Sequence, residues 1–183
     1  WSKRELLIPR LRKIPLNQFI TFIGFGVLMI LIEETIAGIT VNILSVEDFS
    51  TLISKIPPYY QNNLLLLPGF IIAWYFLLSQ YQYTTKEILL LVGLFGIFSE
   101  KAYIHLFTIP ILGIPLFLVT MLTYFGILLP AYLYLGNPGK KEMNPLLKYI
   151  ISISFPILIS IPFVALHIKL SELGIIDPTI LTH

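Results

Sequence analysis

The chain has 183 residues, of which 56% are hydrophobic and 12% are charged, and its net charge is +2. A soluble domain carries roughly a quarter charged residues, so this sequence is too apolar to cover a water-facing surface and predicts a polytopic membrane protein. The small net charge gives no reason to expect nucleic acid as a partner, and the lack of cysteine excludes disulfides and thiolate metal sites.

The chain begins with a basic stretch, residues 1–13, followed by a long apolar run. This run is longer than the apolar core of a secretory signal peptide, and it lacks a cleavage pattern of small residues. The sequence therefore predicts a retained helix at this position.

Five apolar segments are long enough to cross a hydrocarbon core of about 30 Å as helices. They lie approximately at 19–44, 64–79, 88–106, 111–135 and 149–166, and we assign them to one transmembrane domain covering 1–183. The predicted fold is an all-α helical bundle with about five transmembrane helices. The expected location is the cell membrane, with the lipid bilayer as the surrounding partner.

Basic residues are distributed unevenly over the two sides of this predicted bundle. Nine Lys and Arg residues fall on the side of the N-terminus, and two, Lys55 and Lys169, fall on the other. Because loops rich in Lys and Arg stay in the cytoplasm, the N-terminus is predicted inside and the C-terminus outside.

The first outer loop contains signals for a short amphipathic helix. Ser45 and Asp48 fit a capping box, and apolar residues follow at helical spacing. Pro57 and Pro58 are expected to end this helix, which we predict to lie in the outer membrane interface.

Charged residues interrupt two of the predicted spans, at Glu33-Glu34 and at Glu100-Lys101. At a helical rise of about 1.5 Å per residue, all four fall at similar depth in the outer half of the membrane. An unpaired, lipid-facing charge at such depth costs at least about 2.5 kcal/mol. These side chains are therefore expected to face the bundle interior and to share partners.

Small and polar residues share a helical face with these acids: Gly38 and Asn42 on the first span, and Gly96 and Tyr103 on the third. Small residues allow two helices to approach closely. We therefore predict that the first and third spans pack through these faces, with Lys101 bridging to Glu33 or Glu34. One lysine cannot neutralise three acids, so at least one acid is expected to be protonated at neutral pH.

A second polar level is predicted closer to the outer surface. His105 lies one helical turn beyond Lys101, and His167 lies at the corresponding depth of the fifth span. Ser160 falls on the same stripe as His167. The candidate site is thus a pocket open to the outside, with glutamates at its floor, histidines at its rim, and Asn42, Tyr103 and Ser160 in supporting positions.

The favoured hypothesis is transport or conduction of protons, ions or a small solute. Intramembrane acids and spans interrupted by Pro and Gly are typical of proton-coupled carriers. Five spans are few for a carrier, so a homo-oligomer or a larger membrane complex is an expected assembly.

Three other hypotheses stay open. An intramembrane hydrolase, or a lipid- or isoprenoid-modifying enzyme, would use Glu34 as a general base and a histidine at the oxyanion. A subunit of a larger membrane complex would be structural, or would hold haem between His105 and His167 or a metal with Glu100 as a third ligand. A structural ion-pair network would only fix the register of the helices. The sequence assigns no cofactor and no catalytic residue.

The pair Glu33-Glu34, taken with His105 and His167, resembles in part the motif of the glutamate-dependent CAAX-prenyl endopeptidases. In that family Glu-Glu-x-x-x-Arg is followed by Phe-x-x-x-His and His-x-x-x-Asn. Three supporting positions of the motif are occupied by other residue types in this chain, namely Gly38, Lys101 and Ser171. The resemblance covers only a few residues and assigns no family.

Overall fold

The computed structural model describes residues 16–42, 50, 53, 56–108, 110–136, 139 and 141–176. Within these residues the chain forms six α-helices and no β-strand, which confirms the predicted all-α bundle. The helices are α1 (Gln18–Asn42), α2 (Ile56–Gln80), α3 (Thr85–Ser99), α4 (Ala102–Thr108), α5 (Pro110–Leu135) and α6 (Pro145–Glu172).

Four stretches in the described part of the chain are long and apolar enough to cross a membrane. They are Gln18–Thr40, Asn63–Gln80, Gly113–Leu135 and Pro145–Glu172, in α1, α2, α5 and α6. Large apolar side chains on these helices face outward, among them Ile20, Leu122 and Ile157. Such a surface suits lipid rather than water, so the architecture is consistent with an integral membrane protein.

The predicted third span, 88–106, is divided into two helices. Glu100 caps the C-terminus of α3, Lys101 adopts a left-handed backbone with φ 54°, and α4 begins at Ala102. A residue in this conformation ends a helix, because the backbone no longer follows the right-handed helical path. The polar dipeptide Glu100-Lys101 is therefore a break between helices. The number of membrane crossings and their orientation stay predictions.

The second long helix begins at Ile56, ahead of the predicted span boundary at residue 64. Pro57 and Pro58 lie in the first turn of α2, and the predicted end of the preceding helix falls on residues outside the described part of the chain. The first N–H groups of a helix have no intrahelical acceptor, so proline is tolerated there. The predicted amphipathic helix before it lies mostly outside the described residues, as does the basic stretch 1–13.

The helices pack around α2 and α5. α1 contacts both of them, α3 and α4 pack against α5, and α6 packs against α2. The buried centre is rich in aromatic rings. Phe70 contacts Phe95 with ring centroids 4.7 Å apart, and Trp74 contacts Tyr83 at 5.6 Å.

The predicted packing of the first span directly against the third is wrong. Within the described residues α1 packs against α2 and α5, and α3 packs mainly against α5, so α1 and α3 form no extended interface with each other. The small residues of the third span allow another helix to approach closely, as predicted, but that helix is α5 and not α1. A Cβ at Gly93 would come within 2.9 Å of Met121, and a Cβ at Gly96 would overlap the ring of Tyr124, both on α5.

Two loops are joined at the end of the bundle opposite the acids. The Lys141 N–H donates to the Gln80 carbonyl at 3.1 Å, and the Gln82 N–H donates to the Lys141 carbonyl at 3.1 Å. Gly139 lies directly against the Tyr81 backbone, where a side chain has no space. These contacts connect the α2–α3 loop to the α5–α6 loop.

Contacts between side chains also stabilise the end of the bundle where these two loops meet. Lys148 on α6 forms an ion pair with Glu87 on α3, with 2.7 Å between Nζ and Oε1, and its Nζ lies 4.8 Å from the centre of the Tyr83 ring. The Tyr83 hydroxyl is 2.8 Å from Ser152 Oγ, and burial raises the pKa of Tyr83 above its ordinary value. Thr84 and Glu87 form a complete capping box at the start of α3.

Candidate polar site

Glu34 is the buried acid of α1. It is 4% exposed, and Asn63 Nδ2 of α2 donates a hydrogen bond to its Oε1. Asn63 reaches this position because α2 begins at Ile56, which extends the helix to the level of the acids. An amide donor satisfies a carboxylate lone pair without neutralising its charge.

A second polar contact joins the same two helices beside Glu34. The hydroxyl oxygens of Thr35 on α1 and Tyr60 on α2 are 2.6 Å apart. Thr35 Oγ1 also donates to the Leu31 carbonyl at 2.7 Å. Because threonine has one hydroxyl proton, Tyr60 is the donor in its contact with Thr35.

Glu33 directly precedes Glu34 on α1 and is partly buried, whereas Glu34 is buried. The expectation that at least one of the acids is protonated at neutral pH stays a prediction.

Glu100 lies at the break between α3 and α4 and is held by α5. Tyr124 Oη donates to Glu100 Oε1 at 2.6 Å, and Ser99 Oγ lies 2.9 Å from Tyr124 Oη. Glu100 is exposed, contrary to the expectation that it faces the bundle interior, because it lies where α3 ends. It interacts electrostatically with both Glu33 and Glu34, although α1 and α3 do not pack together.

Lys101 does not form the predicted bridge. It is exposed, and no ion pair joins it to Glu33 or Glu34 in the described part of the chain. The prediction assumed one continuous helix through residue 101, whereas the left-handed backbone there redirects the chain. Glu34 and Glu100 thus meet neutral donors instead of an ammonium group.

The two histidines lie apart from the acids. His105 is exposed on α4, and His167 is 2% exposed on α6 and has an interaction partner. Within the described residues α4 and α6 pack neither against each other nor against α1. The described part also contains no group of three His, Asp or Glu side chains that could hold a metal ion. No contact among the described residues therefore supports the predicted rim of histidines above the glutamates.

The three supporting residues have different positions. The Asn42 side chain lies outside what the structure describes. The Tyr103 ring packs against Phe98 at 5.8 Å, within the same segment. Ser160 lies where α2 crosses α6, so close that a Cβ at Gly69 would come 2.7 Å from its Cα.

The sequence analysis missed the polar groups that surround the acids: Tyr60, Asn63, Ser99 and Tyr124. Starting the second span at residue 64 left Asn63 in a loop and placed Tyr60 at the membrane boundary. Because proline is tolerated in the first turn of a helix, a second helix starting ahead of Pro57 and Pro58 could have been predicted, and it would have included Tyr60 and Asn63. Tyr124 carries no comparable sequence signal, because tyrosines are common on apolar helices.

Comparison of the chain with protein families, curated proteins and solved structures finds no match. The function is therefore argued from the geometry of the polar site.

Proposed function

We propose that the protein is a multi-pass protein of the cell membrane that transports or conducts protons, ions or a small solute. In this proposal Glu33, Glu34 and Glu100 form its proton-binding site. One observation carries the proposal: Glu34 is 4% exposed, and none of the three acids forms an ion pair in the described part of the chain.

The surroundings of the acids favour positive charge. Their hydrogen-bond donors, Asn63 and Tyr124, are neutral. α3 ends at Ser99, beside Glu100, and a helix C-terminus carries a partial negative charge. A bound proton would offset this excess in an environment where ionised groups are poorly solvated. A structural ion-pair network would instead need matching lysines or arginines at the site.

Exposure changes along the site in the direction that ion uptake requires. Glu100 is exposed, Glu33 is partly buried and Glu34 is buried. A proton could be taken up at Glu100 and held by Glu33 or Glu34. Discontinuous helices commonly form ion sites in transporters, and the discontinuity between α3 and α4 lies at Glu100.

The enzyme and haem hypotheses gain no comparable support. A hydrolase using Glu34 needs a histidine or another activated group within hydrogen-bonding distance of the reacting centre. Neither His105 nor His167 lies on a helix that packs against α1 in the described part. Haem ligation by this pair would need two facing helices, and α4 and α6 do not pack together.

The test is proton uptake into liposomes containing the purified protein, followed with a pH-sensitive dye under an imposed gradient. Wild type is expected to exceed protein-free liposomes, and Glu34→Gln is expected to return uptake to their level. Glu142→Gln is the matched control, because Glu142 is an exposed carboxylate at the opposite end of the bundle.

Glu33→Gln and Glu100→Gln extend the test to the other acids. We expect each to reduce uptake while the protein stays folded by circular dichroism. If all three variants retain wild-type uptake of protons and of Na⁺ or K⁺, and differ only in melting temperature, the acids are structural and the proposal is wrong.

A further inference from the structure

A groove lies between α2 and α6 at the end of the bundle opposite the acids. Its volume is about 180 Å³. Four apolar residues and two polar ones line it: Phe76, Leu77, Ile151 and Phe155, with Gln80 and Tyr81. The polar residues Gln80 and Tyr81 are consecutive at the end of α2, so one end of the groove is polar and the rest of it is apolar.

A lysine is fixed beside the polar end. The Lys141 backbone is hydrogen-bonded to Gln80 and Gln82 on either side of Tyr81, which places the lysine within one side-chain length of the groove. Lys141 is exposed and forms no ion pair among the described residues. Lys148 differs, since its ammonium is bound to Glu87 and its side chain is 12% exposed.

The position of the groove relative to the membrane follows from the predicted orientation. Its polar end is on the side that carries nine of the Lys and Arg residues, which the sequence predicts to be cytoplasmic. The cytoplasmic leaflet is the one enriched in anionic lipids, and basic residues beside clefts between transmembrane helices bind their headgroups.

We propose that this groove binds an anionic phospholipid, with one acyl chain along Phe76, Ile151 and Phe155 and the phosphate next to Lys141. The apolar wall matches a hydrocarbon chain, and Gln80 and Tyr81 offer hydrogen-bond donors at the level of the ester and phosphate groups. The site is separate from the acid cluster and does not depend on the proposed function.

The charge beside the groove favours an anionic lipid over an apolar protein segment, because the exposed ammonium of Lys141 has no ion-pair partner among the described residues.

The experiment is native mass spectrometry of the purified full chain in detergent with equal amounts of dioleoyl phosphatidylglycerol and dioleoyl phosphatidylcholine. The two lipids have the same chains and differ in headgroup charge. One lysine near a phosphate contributes about 1 kcal/mol, so phosphatidylglycerol is expected to bind about fivefold more than phosphatidylcholine.

Two variants separate the contributions of charge and groove. Lys141→Gln keeps the backbone hydrogen bonds and is expected to bring the binding ratio of the two lipids to about one. Lys169→Gln, which removes an exposed lysine at the other end of the bundle, is expected to keep the wild-type ratio. Ile151→Trp fills the groove and is expected to abolish binding of both lipids, and Phe155→Trp serves the same purpose if the first variant does not fold.

Three results would overturn the proposal. The first is equal binding of the two lipids to wild type, and the second is an unchanged preference in Lys141→Gln. The third is undiminished phosphatidylglycerol binding in a folded Ile151→Trp or Phe155→Trp variant, which would place the lipid elsewhere on the basic surface.

Discussion

At the scale of single residues, the acids of the polar site depend on neutral donors from neighbouring helices. Asn63 donates to Glu34, and Tyr124 donates to Glu100. A charged residue inside a predicted span was a sufficient sequence signal for the acids themselves. Their donors could not be identified in this way, because an asparagine or tyrosine becomes a partner only when another helix approaches it.

Replacing Asn63 by alanine removes the amide that faces Glu34. We expect a loss of about 1–3 kcal/mol in stability, since the carboxyl group stays buried without this donor. In a Glu34→Gln background the same substitution should cost less, and a double-mutant cycle of melting temperatures measures the difference. Gln82→Ala, at an exposed position in the α2–α3 loop, is the control. Additive effects of Asn63→Ala and Glu34→Gln would contradict this contact.

Glu87 predicts a dependence of stability on pH. Partial burial opposes its ionisation, but hydrogen bonds from Lys148 and Thr84 outweigh this effect and lower the pKa below its ordinary value of 4.5. Because the folded pKa is the lower one, the stabilisation is complete above the unfolded pKa and is lost as pH falls through the folded pKa.

Thermal unfolding in detergent between pH 7 and pH 3 measures this contribution. Glu87→Gln is expected to melt about 2–4 °C below wild type at pH 7, corresponding to about 1 kcal/mol. The two proteins should converge as pH falls through the lowered folded pKa of Glu87. A difference that stays constant over the whole pH range would show that the loss does not come from the charge of Glu87.

At the scale of helices, the sequence predicted four of the long apolar segments near their observed positions, because hydropathy responds directly to the length of an apolar run. The division of the third segment was missed. Neither glycine nor proline marks the break at Glu100-Lys101, and lysine rarely adopts a left-handed backbone. Helix partners were also misassigned, since Gly93 and Gly96 indicate close packing without specifying which helix approaches.

Lys101→Gly tests the break directly. Glycine adopts φ near 54° without the steric cost that a Cβ imposes, although it also increases the entropy of the unfolded chain. We expect Lys101→Gly to be more stable than Lys101→Ala by up to about 1 kcal/mol. Proton uptake should be equal in the two variants and in wild type, because Lys101 forms no ion pair with the acids. A loss of uptake in both variants would show that Lys101 takes part in the function of the polar site.

At the scale of the whole molecule, the two ends of the bundle differ in chemistry. One end carries the cluster of acids, and the other carries hydrogen-bonded loops, an ion pair and the groove beside Lys141. Composition alone was sufficient to predict the membrane class and the all-α fold. The prediction of which end faces the cytoplasm comes from the distribution of basic residues, and labelling in cells measures it.

The chain contains no cysteine, so single cysteines can be introduced without background labelling. With a membrane-impermeant maleimide, Glu172→Cys is expected to react in intact cells. Glu142→Cys is expected to react only after permeabilisation, because it lies in the predicted cytoplasmic loop. Both residues are exposed, so accessibility within the protein is matched. Labelling with the opposite pattern would invert the orientation and move the acids to the inner half of the membrane.

The bridge between the α2–α3 and α5–α6 loops also limits how the bundle can change shape. It ties together the ends of four helices, α2, α3, α5 and α6, through backbone hydrogen bonds and the adjacent Glu87–Lys148 pair. Movements of the helices that admit water to Glu34 would therefore rotate about the end of the bundle that these contacts hold together. Their amplitude would grow with distance from it and would be greatest at the level of the carboxyl groups.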